Sequence, residues 1–252
     1  MNGARTGQDE AGAGPFGSGL TPLLRIFREI PERRLKDMKI IICGDSTAAA
    51  YDLKETPMVG WGQRLGLYVP GAEIRNHAMA GRSTRTFIAE GRLERAAEDL
   101  APGDLMLIQF GHNDENTEKP ERWTDPEKAF PENLEIFVRT ARKKGAHPVL
   151  MTPICIRNWQ EGKHQPSHGV YPQVVRDTAE RLGVPLIDLY ADSLRLVEEA
   201  GEEGSRKLFM NFLPGEEDRE PQGRTDNAHT RLAGADAFAR AVAEHLRELR
   251  LI

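Results

Sequence analysis

Cysteine is almost absent from this chain: two residues in 252, Cys43 and Cys155. Two thiols give no disulfide framework, so a core rather than covalent staples must hold the fold. Both close apolar runs of strand length, which reads as buried free thiols in a reducing compartment; the expected location is cytoplasmic. Long apolar runs are missing too. No stretch approaches the roughly 18 residues that a membrane span needs, and the N-terminus lacks the basic-then-apolar layout of a secretory leader. No block of like charge is long enough to hold a membrane surface. With 34 basic and 39 acidic side chains the formal net charge is −5, so nothing points to a nucleic-acid partner.

At 252 residues the chain can bury a real core, and one large domain is expected rather than two. Residues 1–19 are rich in Gly, Ala and polar side chains without periodicity, and are expected to be disordered or weakly held. Within residues 20–35, Leu20, Leu23, Leu24, Phe27 and Ile30 fall at helical spacing, which suits a short amphipathic helix. The run from Met38 reads as the opening of a domain. Residues 1–37 are therefore an N-terminal extension, either accessory or upstream of the natural start, and residues 38–252 form the domain proper.

From residue 39 strands and helices alternate. Strands are expected over 39–43, 72–76, 105–110, 147–152 and 185–189, and helices over 60–69, 85–100, 126–144, 171–182, 194–200 and 231–250. Fully apolar strands between helices imply a parallel sheet covered on both faces. Right-handed crossovers then give a doubly wound α/β/α sandwich of three layers around a mostly parallel five-stranded sheet.

Four polar segments sit at telling places in that frame: Gly44-Asp45-Ser46-Thr47, Asn76 to Ser83, Gly111-His112-Asn113-Asp114, and Asp226-Asn227-Ala228-His229. The first three each follow a strand, so they share the edge beyond the strand carboxyl ends where ligands bind. Ser46 offers a hydroxyl nucleophile; by itself it reads equally as a helix N-cap. Cys43 is the rival nucleophile, but its place within a strand denies it access. Among seven histidines, His229 suits a general base because Asp226, three residues earlier on what reads as the same loop, can fix its tautomer. Gly81 and Asn113 can donate to an oxyanion, or serve only as a turn glycine and an Asx turn. His112 reads as structural and Asp114 as a loop anchor. A metal site from Asp226, His229, His112 and Asp114 is an alternative that leaves the Gly-Asp-Ser segment without a purpose.

These four segments resemble the blocks of the SGNH (GDSL-type) hydrolase superfamily, with Ser46, Gly81, Asn113 and His229 in the matching order over roughly residues 38–250. Thr152-Pro153 with Arg157 and Trp159, His168-Gly169-Val170-Tyr171, and Phe209-Met210 with Pro214-Gly215-Glu216 are similar to the rhamnogalacturonan acetylesterase branch. Ala228 departs from that branch, where a Thr is expected, and the N-terminal extension lies outside it. The resemblance implies a flavodoxin-like fold and a serine esterase that deacetylates a carbohydrate, acetylated rhamnogalacturonan oligosaccharides above all, without metal or cofactor. It implies Ser46, His229 and Asp226 as the catalytic set, with Ser46, Gly81 and Asn113 forming the oxyanion hole. Arg82, Arg157, Trp159 and His168 are then candidates to hold an acidic sugar, or else solvated arginines and a partly buried Trp. The alternatives are another esterase on the same machinery (an acetylxylan esterase, thioesterase or lipase) or a non-catalytic carbohydrate-binding protein.

Overall fold

A computed structural model describes residues 35–252. The tail expected over residues 1–19, and the helix expected over 20–35 save its last residue, lie outside the described residues. Leu35 itself opens a 3-10 turn, Leu35–Asp37.

The central sheet contains β1 (Lys39–Gly44), β2 (Glu73–Asn76), β3 (Leu105–Gln109), β4 (His147–Met151) and β7 (Leu186–Ile187), all parallel, in the order β2-β1-β3-β4-β7. This is the expected five-stranded α/β architecture. Ile40, Ile41, Ile42 and Cys43 are all fully buried, which is why β1 is apolar on both faces. Each such Ile contributes roughly 1.5–3 kcal/mol of burial. Two short antiparallel pairs flank the sheet: β5 (Trp159–Gln160) with β6 (Lys163–His164), and β8 (Phe209–Phe212) with β9 (Arg224–Thr230). Neither hairpin is expected from the sequence: β5, β6 and β9 are largely polar without apolar alternation, and β8 is only four residues long.

The helices are α1 (Trp61–Arg64, continued by a 3-10 turn Leu65–Leu67), α2 (Thr84–Ala89), α3 (Arg92–Glu98), α4 (Ala129–Lys143), α5 (Tyr171–Leu182), α6 (Leu189–Ser205) and α7 (Leu232–Glu248). The single helix expected over 85–100 is two. Gly91 adopts φ 67° between them, a left-handed step that ends one helix and lets the next begin at a new angle. The helix expected over 194–200 is longer, and kinks at Gly201. On one sheet face Phe87, Phe110, Phe130, Phe137 and Val138 pack against Ile41, Cys43, Met106 and Ile108. Ile40 and Ile42 alternate to the opposite face, where Gly62 of α1 closes on the Ile42 side chain. Helix α7 docks through Gly234, where a Cβ would fall 2.0 Å from the Leu208 carbonyl oxygen. That close approach sets the path of the chain into β8.

The chain leaves β1 toward β2 on one side and returns to β3 on the other. The β1/β3 boundary is therefore the switch point at which such sheets open a crevice beyond their carboxyl ends.

Candidate active site

Ser46 lies two residues beyond β1 in a tight turn, and no helix begins there, so the N-cap alternative is not realised. The Asp45 carboxylate shapes the turn: Oδ1 accepts the Thr47 N–H at 2.9 Å and the Thr47 hydroxyl at 2.8 Å. The Tyr51 hydroxyl donates to the Ser46 carbonyl at 2.8 Å. Ser46 is largely buried, at 8% exposed. Cys43, by contrast, is wholly buried in β1, and burial drives its thiol pKa far up.

The Asp226–His229 segment, expected on a loop, belongs to β9. The ladder pairs Phe209 with Thr230 but Met210 with Asp226, so Asn227, Ala228 and His229 form a bulge. The bulge turns His229 out of the ladder while Asp226 stays in it. Asp226 Oδ1 accepts the Ala228 and His229 N–H groups at 3.1 and 3.0 Å, and Oδ2 meets His229 Nδ1 at 2.9 Å. His229 Nε2 then stands 3.0 Å from Ser46 Oγ, across 183 residues of sequence. The distances fit one tautomer, with Nδ1–H donating to the carboxylate and Nε2 accepting from the hydroxyl.

Partial burial alone would raise the Asp226 pKa. The His229 ring and the two backbone donors outweigh it and hold the carboxyl far below its usual range. A depressed native pKa contributes stability that is fully present above the unfolded value near 4 and is lost as pH falls from there through the depressed native value. The wild type is therefore expected to melt a few degrees above Asp226→Asn at pH 7, with the gap closing below about pH 3. Thermal melts across that range check this; a gap independent of pH would show that the carboxylate is not held in this way.

Two turns face the same edge from β2 and β3. Gly81 has φ 76°, a left-handed backbone that favours glycine. Neither its N–H nor that of Ser46 has an acceptor among the described residues. Asn113 Nδ2 donates to the Arg82 carbonyl at 3.1 Å and its Oδ1 accepts from Arg122 at 3.4 Å, so both ends of the amide are held. Asp114 anchors this turn, accepting from the Thr84 N–H and from the Thr84 and Thr124 hydroxyls.

Beneath Ser46 lies a buried pair. His112 Nδ1 and Asp45 Oδ2 approach to 3.3 Å as an ion pair rather than an aligned hydrogen bond. Burial pulls the His112 pKa down, but the Asp45, Glu115 and Asp114 carboxylates outweigh it and raise it. Asp45 is the mirror case: burial raises it, while His112 and the Thr47 donors bring it below normal. Among the described residues no three His, Cys, Asp or Glu side chains gather as a metal would require. The metal alternative is thus not assembled.

The four expected sugar contacts divide. Arg157 is 9% exposed and its guanidinium is occupied by Ser205 Oγ (3.0 Å), the Glu202 carbonyl and Asn227 Oδ1 (3.4 Å). Its own N–H donates to the Asn227 carbonyl at 2.9 Å. Arg157 therefore braces the bulge instead of facing a ligand. His168 is 4% exposed, with both ring nitrogens engaged, by Glu115 at 2.9 Å and the Ile154 carbonyl at 2.8 Å. His168 has no ring nitrogen to spare for a sugar, and each guanidinium nitrogen of Arg157 already donates within the protein. Arg82, partly exposed, pairs with Glu90 at 3.0 Å. Trp159 is half-buried, its Nε1 donating to Ser205 at 3.1 Å. Sequence reading passed over Asn211, whose buried amide donates to the Asp226 carbonyl and to Asn227 Oδ1 at 3.1 and 3.0 Å. It also passed over Arg224, which donates to Asp226 Oδ2 at 2.7 Å. Asn211 reaches the bulge only through the pairing of β8 with β9, whereas Arg224, two residues before Asp226 on β9, shares its strand face.

The chain is 44% identical over 218 residues to the rhamnogalacturonan acetylesterase RhgT of Bacillus subtilis (strain 168), covering 86% of this chain and 92% of that protein. It is 37% identical to the probable rhamnogalacturonan acetylesterase YesY of the same organism, over 84% of this chain and 94% of that one. The crystal structure of YxiM from Bacillus subtilis superposes with a TM-score of 0.71 at 30% identity, over 84% of this chain and 56% of that longer chain. Residues 42–237, which run from β1 into α7 and include all four motif segments, match the model of one family, and this chain belongs to it: the GDSL-like lipase/acylhydrolase family.

Proposed function

We propose that this protein is a serine esterase that removes O-acetyl groups from acetylated rhamnogalacturonan oligosaccharides, the acetylated backbone fragments of pectin. The observation that carries the reading is the 3.0 Å approach of Ser46 Oγ to His229 Nε2, with Asp226 behind the ring. The similarity to RhgT, a rhamnogalacturonan acetylesterase, and to YesY, a probable one, supports the substrate class.

In this reading Ser46 Oγ attacks the acetyl carbonyl carbon as its proton passes to His229 Nε2. The carbonyl oxygen becomes an oxyanion, met by the Ser46 and Gly81 N–H groups and the second hydrogen of Asn113 Nδ2. One such donor is worth about 2.7–4 kcal/mol in the transition state. Collapse breaks the bond to the sugar oxygen, which leaves with the proton from His229 as an alcohol. Water then gives its proton to His229 and attacks the acetyl-Ser46 ester, releasing acetate and restoring the hydroxyl. Asp226 stabilises the imidazolium formed in both halves. Arg82 and Trp159 are the proposed sugar contacts. Two buried, unpaired thiols support a reducing, cytoplasmic setting.

Acetate release measured side by side on acetylated rhamnogalacturonan fragments, acetylated xylan oligomers and nitrophenyl octanoate tests the substrate. The expected order puts the first highest, by about tenfold or more in kcat/KM over xylan, as polar recognition of a sugar allows. A preference for the octanoate or for xylan would move the protein to another esterase class.

A further inference from the structure

We propose that Arg224 is a positioning residue that sets the protonation balance of the His229–Asp226 pair, and that Glu220 tempers it. The proposal rests on the reading of His229 as the general base.

The geometry is specific. Both lone-pair regions of Asp226 Oδ1 are taken by the Ala228 and His229 N–H groups. That leaves Oδ2 to accept from the base, at 2.9 Å from His229 Nδ1, and from Arg224 Nη2 at 2.7 Å. A fixed cation thus shares the one oxygen that must stabilise the imidazolium. Arg224 Nη1 meanwhile donates to Glu220 Oε1 at 2.9 Å. Glu220 belongs to the segment joining β8 to β9, so a half-buried carboxylate there is linked through two ion pairs to Asp226, and through Asp226 to the base. Side-chain exposures of 28%, 24% and 16% for Arg224, Glu220 and Asp226 put the relay partly out of water, where charge acts at longer range.

The other charged or titratable groups near the pair do not take this role. Asp45 and His112 face each other beneath the Ser46 turn and offset one another. The Tyr51 phenol, on the Ser46 carbonyl, is driven far up by burial and stays neutral. Arg157 reaches Asn227 and not the carboxylate.

Two consequences of opposite sign follow. Arg224 offsets the Asp226 charge, so its removal favours the protonated imidazole, and more alkaline conditions are needed to free the base. Glu220 offsets Arg224, so its removal does the reverse. The test is the pH dependence of kcat/KM on nitrophenyl acetate for wild type, Arg224→Gln, Arg224→Lys and Glu220→Gln, with Ser46→Ala as background. The acid limb is expected to move up by about half a pH unit in Arg224→Gln, down by a smaller amount in Glu220→Gln, and to stay near wild type in Arg224→Lys, which keeps the charge. Limbs that do not move, or that both move the same way, overturn the proposal. Should Arg224→Gln not fold, Glu220→Gln, in the connecting segment, decides alone, and an unmoved limb there is the negative result. Turnover by Ser46→Ala equal to wild type would instead overturn the reading of the site itself, which separates the two failures.

Discussion

Ser46→Ala is expected to release acetate from an acetylated oligosaccharide about 10⁶-fold more slowly than wild type, the scale at which loss of a nucleophile in a coupled triad acts. Among the described residues the side chain has one hydrogen-bond partner, His229 Nε2 at 3.0 Å. The turn around it is held by other groups: the Asp45 carboxylate on Thr47, and the Asp45 carbonyl on the Ala48 and Ala49 N–H groups. Deleting one oxygen therefore removes the attacking atom and leaves the turn. The melting temperature should change by no more than about two degrees, the ordinary effect of a substitution that leaves no buried group unpaired. A folded Ser46→Ala enzyme with wild-type turnover would place the nucleophile elsewhere.

His229→Ala should lose activity on the same scale, and its contrast with His112→Ala carries the assignment of the base. Both rings lie near the Ser46 turn and both have a carboxylate partner, but their surroundings differ. His229 is 32% exposed at its side chain and points Nε2 at the hydroxyl. His112 is 9% exposed and faces Asp45, whose side chain is fully buried. Removing His112 leaves that carboxylate buried without its counter-charge, which costs about 3–5 kcal/mol, or roughly ten degrees in a domain of this size. His112→Ala should thus be less stable yet retain turnover above the Ser46→Ala background, whereas His229→Ala should be stable and inactive. Acetate release and thermal melts on the same preparations give both readouts. The reversed pattern would make His112 the base.

Much of the frame was legible because burial leaves a local trace. The apolar run at Ile40-Ile41-Ile42 marks a central strand wherever it is placed, and the spacing of Tyr171, Val175 and Ala179 marks one buried helix face over the full length of α5. The misreadings share a cause. Gly91 breaks the 85–100 helix within a continuous periodic pattern, because a left-handed residue changes direction without changing which side chains are apolar. Strand β9 is polar at nearly every position and so reads as a loop. It is a strand only because Phe209 to Phe212 pair with it. Arg157 and His168 look like ligand contacts in sequence for the reason that makes them useful inside: long polar side chains with several donors brace irregular backbone as readily as they bind sugars.

Local periodicity, and the connectivity it permits, was enough for the alternation of strands and helices, the parallel sheet, and the placement of three polar turns after three strands. Only the tertiary structure showed that a three-residue bulge delivers His229 to Ser46, and that Arg157 and Asn211 brace that bulge. The physical reason is range. Periodicity records whether a side chain is buried, whereas a hydrogen bond across 183 residues depends on the register of one strand against another, which no single segment specifies.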